Sequence, residues 1–227
     1  MPRAARPAWL LAPLLGLALA QAPVFVPTGA LTATIDGTTI VFRTHANLVP
    51  ESDAEAPADA SVDALIERLS GREVNGASFI VTEPLVVGDV TAFPATMTVN
   101  LRAMVAPDDR SDRRELVIGF GVDPDTLAWD GDEGRVAVEF HPERWRATAH
   151  YQLLELHAFE VTRLEAVEPH ALRVAGRLVA TLAWREGTFQ SVVDATNTVE
   201  LTVDFEAYPV TGDDVLAPLI EDAAGGG

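Results

Sequence analysis

The sequence predicts an all-β, mainly antiparallel domain, either a β-sandwich or a barrel of about nine or ten strands, with one short helical insertion. Three observations support this fold class. Apolar and polar residues alternate with a period of two in several long stretches, an Asp-Gly pair separates two of them, and strand patterns do not alternate with helix patterns. The last observation argues against a parallel α/β sheet.

The alternation is most regular in four stretches, at residues 31–35, 96–105, 172–184 and 199–206. Such a pattern is typical of strands that place one face on a core and the other in water. Less regular strand candidates lie at 78–82, 115–122, 135–140, 148–156 and 159–165.

Asp36 and Gly37 lie between the alternating stretch at 31–35 and the next strand candidate at 39–44. Asp-Gly between two such runs is a strong signal for a two-residue β-hairpin turn. We therefore expect a hairpin at this position.

A single helix is predicted near residues 59–70, because Val62, Leu65, Ile66 and Leu69 have the spacing of one helix face. It follows a segment rich in Ala, Pro and acidic residues, which we interpret as a solvated loop. The helix either closes one end of the core or acts as a lid over a ligand cavity.

Residues 1–20 have the order of a secretory signal peptide. Arg3 and Arg6 precede an apolar run that ends in Ala18-Leu19-Ala20. The run is shorter than the roughly 20 apolar residues of a membrane span. We expect cleavage after Ala20, a single β-rich domain at 21–208 and a C-terminal tail at 209–227. The alternative is an uncleaved anchor or a buried N-terminal helix.

The charge and residue usage exclude several functions. The formal charge is −18, all sixteen basic residues are arginines, and cysteine is absent. Removal of residues 1–20 takes away two arginines and no acidic residue, which leaves a formal charge of −20. We therefore expect neither nucleic-acid nor anionic-membrane binding, because both require basic side chains that neutralise phosphate. Thiolate metal sites, disulfides and Schiff-base lysines are also excluded.

An acidic cluster is the first candidate metal site in the sequence. It consists of Asp123, Asp125, Asp130, Asp132 and Glu133. Clustered carboxylates and flexible glycines suit Ca²⁺, but the spacing matches no complete EF-hand loop. A solvated turn is the alternative, and no other cofactor is predicted.

Two Glu-x-His pairs form a second constellation, Glu139 with His141 and Glu155 with His157. Residues two apart on a strand point the same way, so adjacent strands would bring four metal-binding or acid–base groups together. Solvent-facing strands show the same pattern. The remaining histidines, His45, His150 and His170, are isolated in the sequence and are interpreted as structural or exposed.

Three tryptophans remain after the predicted cleavage. Trp184 ends a regular alternating stretch and is predicted to lie in the core. Trp129 and Trp145 adjoin charged segments, where they either anchor loops or form a stacking platform for a ligand.

The sequence thus predicts an exported, non-catalytic envelope or extracellular protein that binds a partner protein or a small ligand. It is not expected to be an integral membrane protein after signal cleavage. Nucleophile-elbow and dinucleotide-binding motifs are missing from the sequence. One alternative is a carrier of lipids or other hydrophobic ligands with a helical lid, and another is a metal- or carboxylate-dependent hydrolase. No resemblance to a known family is specific enough to transfer a function.

Overall fold

A computed structural model describes residues 24–48, 76–82, 85–87, 90–93, 95–106, 112, 114–129, 131–143, 149–187, 192–211 and 216. This part of the chain contains twelve β-strands and one 3-10 helix, Glu133–Arg135. The strands are β1 Val24–Ile35, β2 Thr38–Leu48, β3 Ser78–Thr82, β4 Leu85–Val87, β5 Val90–Phe93, β6 Thr96–Met104, β7 Glu115–Asp123, β8 Ala128–Trp129, β9 Ala137–His141, β10 Ala149–Glu168, β11 Ala171–Glu186 and β12 Val192–Ala207.

Ten of these strands form one antiparallel sheet in the order β3-β6-β2-β1-β12-β11-β10-β9-β7-β8, and β4 and β5 form a separate hairpin. An additional pairing between β6 and β7 joins eight strands into a ring, β6-β2-β1-β12-β11-β10-β9-β7. Two joints of the ring are narrow, because β2 and β6 share one residue pair and β9 and β10 share two. The predicted all-β antiparallel class is confirmed, and the ring of pairings favours the barrel over two separate sheets.

The core lies on the inner face of the ring. Alternate residues of the strands point inward and form one hydrophobic cluster, in which Leu31, Phe42, Leu101 and Phe120 are fully buried. Four aromatic side chains of the interior contact one another, namely Phe120, Trp129, Phe159 and Phe205, and Phe42 contacts Phe140 at a separate point. The regular alternation of the sequence is thus explained by a single buried face.

The hairpin between β1 and β2 has the turn that the sequence predicts. Asp36 and Gly37 both have positive φ angles, 46° and 79°, and Ile35 pairs with Thr38 across them. Two positive φ angles are the requirement of a type I′ turn, which Asp-Gly satisfies at low cost. The hairpin prediction is confirmed.

Strand β10 has 20 residues and pairs with the 16 residues of β11. Four register shifts accommodate the four additional residues of β10. Each shift leaves one β10 residue without a pairing partner on β11; these residues are Leu154, His157, Thr162 and Val167. The shifts are β-bulges, which bend the strand and reset which residues face inward. The two strand candidates predicted at 148–156 and 159–165 are therefore parts of one strand.

Some expectations fall outside the described residues. These are the signal peptide at 1–20, the helical insertion near 59–70 and most of the tail at 209–227. Within the described part of the chain, no helix has the length and apolar character needed to cross a membrane.

Candidate functional site

The outer face of the ring carries two rows of side chains that run across five neighbouring strands, β6, β7, β9, β10 and β11. The pairing register aligns them. The first row is Met104, Glu115, His141, His150 and Arg185, and the second is Arg102, Val117, Glu139, Gln152 and Ala183. Outward side chains of such a sheet are normally solvated, yet Met104, Glu115, His150 and Ala183 are buried here and lie outside the core cluster. This part of the outer face therefore buries four residues outside the core cluster, two of which, Glu115 and His150, are ionisable.

We call six of these residues the histidine site: Glu115, Glu139, His141, His150, Gln152 and Arg185. At its centre, the imidazole rings of His141 and His150 stack with their centroids 4.8 Å apart and their planes at 28°. His141 Nε2 lies 3.1 Å from Glu139 Oε2. The hydrogen bond to His141 lowers the pKa of the Glu139 carboxyl, and the nearby charges of His150, His141 and Arg185 lower it further. Glu139 is thus ionised near neutral pH, and His141 donates its Nε2 proton to it.

His150 is the least satisfied member of the histidine site. Only 7% of the residue is exposed, and neither Nδ1 nor Nε2 has a hydrogen-bond partner among the described residues. Burial lowers the pKa of its imidazole; the Glu139 carboxylate opposes this shift, whereas His141 and Arg185 add to it. Neutral imidazole has one N–H donor and one acceptor nitrogen, and leaving both unbonded in a buried place costs about 1–3 kcal/mol per group. His150 therefore has unused hydrogen-bonding capacity inside the site.

Arg185 pairs with His150 directly across β10 and β11. Its Nη1 donates to Gln152 Oε1 at 3.0 Å, whereas its buried Nε has no hydrogen-bond partner among the described residues. Arg185 and His150 are thus directly opposed residues, whose Cβ atoms are about 5 Å apart in a sheet, and the Arg185 charge acts on the His150 imidazole.

Glu115 is buried at one end of the first row, with 4% of its side chain exposed. It forms a two-point ion pair with Arg102 across β6 and β7, in which Arg102 Nε and Nη2 contact Glu115 Oε1 and Oε2. The hydrogen bonds to Glu115, together with its charge, raise the pKa of the Arg102 guanidinium. A buried carboxylate requires this kind of compensation, so Arg102 neutralises the Glu115 end of the histidine site.

The two predicted Glu-x-His pairs do not converge. Strands β9 and β10 are neighbours, but their register places Gln152 opposite Glu139 and aligns His150 with His141. Of the two alternatives for His150, structural or exposed, the structure excludes the exposed one, because His150 is buried and stacks on His141. Glu155 and His157 lie further along β10, beyond the short pairing with β9.

Glu155 and His157 belong to a separate, exposed polar chain. His157 Nε2 lies 2.7 Å from Thr181 Oγ1, Thr181 Oγ1 donates to Glu200 Oε1 at 2.9 Å, and Glu155 Oε1 lies 3.7 Å from His157 Nδ1. Because the Thr181 proton goes to Glu200, His157 donates to Thr181 and does not act on it as a base. The arrangement resembles a nucleophile–histidine–carboxylate triad in its residue types only.

The acidic cluster lies in turns near β8 and the 3-10 helix. Asp123 Oδ1 accepts the amide protons of Asp125 and Thr126 at 2.9 Å, and Asp132 Oδ1 accepts that of Gly134 at 2.9 Å. Within the described ranges, no three His, Asp or Glu residues form a group suited to hold a metal ion. Asp130 lies outside those ranges, and calcium binding by the cluster stays a prediction.

The tryptophans differ in their surroundings. Trp184 is partly buried on the inner face and makes an edge contact with Tyr151 at 5.0 Å between centroids. Trp129 makes an edge contact with Phe159, also at 5.0 Å, and so anchors β8 to the core. Trp145 lies outside the described residues.

Comparison of the chain with protein-family models, with curated proteins and with solved structures gives no match. The case for a function therefore rests on the residues and geometry of the chain itself.

Proposed function

We propose that this chain is an exported, non-catalytic envelope or extracellular protein that binds a small ligand at the histidine site. The observation that supports the proposal is His150, a buried imidazole whose two nitrogens have no partner among the described residues. Buried polar groups of folded proteins are nearly always hydrogen-bonded, and exceptions often mark functional positions. A bound ligand would supply the missing partners.

The interior of the ring supports this location over the hydrophobic-carrier alternative. Phe120 contacts Phe159 and Phe205, with ring centroids 5.2 Å and 6.4 Å apart, and these three side chains are buried. Side chains thus occupy the interior at this level, where a carrier would hold its ligand.

Binding is tested by ligand-observed NMR with a library of small polar compounds and the chain that begins at Gln21. We expect at least one compound to bind wild-type protein at millimolar concentration and to shift the imidazole resonances of His141 and His150. His150→Phe should abolish this binding, and His157→Gln, which changes an exposed histidine of the same strand, should preserve it. The proposal fails if no compound binds, or if His150→Phe binds as the wild type does.

Export is tested separately by expression of the full chain in a Gram-negative bacterium. The proposal expects a periplasmic or secreted product whose N-terminus, by Edman sequencing, is Gln21. A cytoplasmic product that retains residues 1–20 would contradict the proposed export. It would have no bearing on the proposed binding of a ligand at the histidine site.

One observation favours a second candidate, an acid–base hydrolase. The Glu139–His141 hydrogen bond of 3.1 Å is the kind of carboxylate–imidazole contact that orients a general base. Hydrolysis of chromogenic esters or glycosides that His141→Gln abolishes would favour this candidate over simple binding.

A further inference from the structure

Arginine side chains elsewhere in this protein show what Arg185 lacks. Arg102, Arg114 and Arg173 each direct the edge formed by Nε and Nη2 at a carboxylate, respectively that of Glu115, Asp112 and Glu206. Guanidinium edges match the two oxygens of a carboxylate in spacing and plane. In Arg185 the Nη1 group donates to Gln152, and Nε on the opposite edge is buried and has no partner in the described part of the chain.

His150 provides a second hydrogen-bond donor next to Arg185 in the pairing of β10 with β11. It faces Arg185 across the strands, and its neutral ring offers one N–H donor in addition to the Nε–H of Arg185. Two donors on directly opposed residues suit an acceptor with two oxygens. Since 93% of His150 is buried, only a small ligand would fit against it.

The charged groups around this position form two balanced pairs, Glu115 with Arg102 and Glu139 with Arg185. Glu115 is neutralised by Arg102, and Glu139 accepts a hydrogen bond from His141. Arg185 supplies a positive charge whose hydrogen bond goes to the neutral amide of Gln152. The ionised Glu139 carboxylate already balances this charge, so the negative charge of a bound monocarboxylate is neutralised when His150 takes up one proton.

We infer that the histidine site binds a small monocarboxylate between Arg185 Nε and the His150 ring, with uptake of a proton. This inference rests on the proposed ligand-binding function and names its ligand class. One carboxylate oxygen accepts from Arg185 Nε and the other from a His150 N–H group.

Proton uptake follows from the groups that face His150. These are Glu139 and His141 from β9, Arg185 from β11 and, beyond His141, Glu115 from β7. In the free protein, the buried ring is held neutral against one carboxylate. A second carboxylate at the ring favours the imidazolium form, so ligand and proton bind with positive coupling.

The test uses acetate, acetamide and inorganic phosphate as probes, titrated into the chain that begins at Gln21 at constant ionic strength. Imidazole resonances are followed by ¹H–¹⁵N NMR at pH 7.5, 6.5 and 5.5. We expect acetate to shift His150 and to bind at least about threefold more tightly at pH 5.5 than at pH 7.5, within the limit of tenfold per pH unit for one coupled proton. Acetamide, which has the same shape without the charge, should not bind.

Variants separate the contributions. Arg185→Lys keeps the charge but lacks the planar edge, and it should weaken acetate binding at least about tenfold. His150→Phe should remove the pH dependence, whereas Arg177→Met, which changes an exposed arginine of the same strand, should bind as the wild type does. The dispersion of the amide resonances shows that each variant is folded.

The inference is overturned if acetate and acetamide bind equally, if phosphate binds in preference to acetate, or if Arg185→Lys retains wild-type affinity. If acetate does not bind while a neutral compound of the library still shifts the imidazole resonances of His150, the assignment of a carboxylate ligand is wrong and the proposed ligand-binding function stands. If no compound binds the wild type, both are wrong.

Discussion

His141 and His150 stack on the outer face of the sheet with ring centroids 4.8 Å apart, one on β9 and the other on β10. Two imidazolium ions at this separation would repel each other, and burial adds a further cost to charging His150. The Glu139 carboxylate, bonded to His141, offsets part of this repulsion. The pair therefore makes the stability of the protein dependent on pH.

We expect the free energy of unfolding to fall as the pH decreases below about 6.5, the ordinary pKa of histidine. Because the pKa of His150 is lowered in the folded protein, the unfolded chain binds more protons in this range. The stability contributed by neutral His150 is fully present above the pKa of histidine in the unfolded chain. It is lost as the pH falls toward the lower pKa of His150 in the folded protein, and the free energy of unfolding then changes by at most about 1.4 kcal/mol per pH unit. Urea denaturation at pH 7.5, 6.5 and 5.5 measures it.

His150→Phe should flatten this slope below about pH 6.5, and His157→Gln should not. Glu139 affects stability at lower pH, because its pKa is lowered in the folded protein. Its stabilising contribution is present above about pH 4.3, the ordinary pKa of glutamate, and is lost as the pH falls below that value. A His150→Phe variant with the wild-type slope would contradict the assigned shift.

The Arg102–Glu115 ion pair supports the buried end of the histidine site. Arg102→Met should cost about 1–3 kcal/mol, because it leaves the buried Glu115 carboxylate uncompensated, while the half-exposed position of Arg102 keeps the loss below that of a fully buried pair. Arg102→Met with Glu115→Met should recover part of the loss, since no buried charge remains. Denaturant unfolding of both single variants and the double variant measures the coupling.

Arg177 and Asp204 provide the matched control, an ion pair of 3.5 Å whose two side chains are both more than half exposed. Arg177→Met should change stability by at most about 1 kcal/mol. Equal losses for Arg102→Met and Arg177→Met would show that burial of Glu115 has no energetic consequence.

Gly176 is a position where the fold excludes a side chain. An added Cβ would overlap the Glu160 carbonyl oxygen and lie 2.5 Å from Cζ of Phe205, whose residue pairs with Gly176 across β11 and β12. Gly176→Ala should therefore destabilise the protein by more than about 3 kcal/mol or prevent folding. In the control Gly134→Ala, the new Cβ meets only the Asp132 side chain at 3.1 Å, so thermal unfolding near that of the wild type is expected.

The sequence could predict strands wherever one face is buried without interruption. Residues 172–184 alternate regularly, and they lie in β11, whose inward residues Leu178, Ala180 and Leu182 are fully buried. In β10 the bulges at Leu154 and His157 reset the alternation, so one strand has the pattern of two. The first residues of β12, from Val192 to Thr198, are all exposed and therefore carry no periodic signal.

The histidine site could be predicted only in part for a related reason. Glu139 and His141 are two apart on one strand, and this local spacing is visible in the sequence. The contribution of His150 depends on the register between β9 and β10, which is fixed by the two pairs Phe140–Tyr151 and Glu139–Gln152. Register follows from turn geometry and from the burial of partner residues on both strands, and neither can be read from one strand alone.

At the Asp36-Gly37 turn, two variants of Asp36 separate the combined effect of backbone conformation and side-chain hydrogen bonding from the effect of the carboxylate charge. Asp36 has a φ of 46°, its Oδ1 accepts the amide proton of Glu200 at 2.9 Å, and its own amide donates to Glu200 O at 3.1 Å. Asp36→Ala loses both the tolerance for positive φ and the acceptor, and should cost about 1–2 kcal/mol. Asp36→Asn keeps a side-chain oxygen and tolerates positive φ, so its unfolding free energy should stay within about 0.5 kcal/mol of the wild type. Urea denaturation of the two variants at pH 7.5 decides between the two causes, because a loss in Asp36→Asn equal to that in Asp36→Ala would assign the effect to the carboxylate charge.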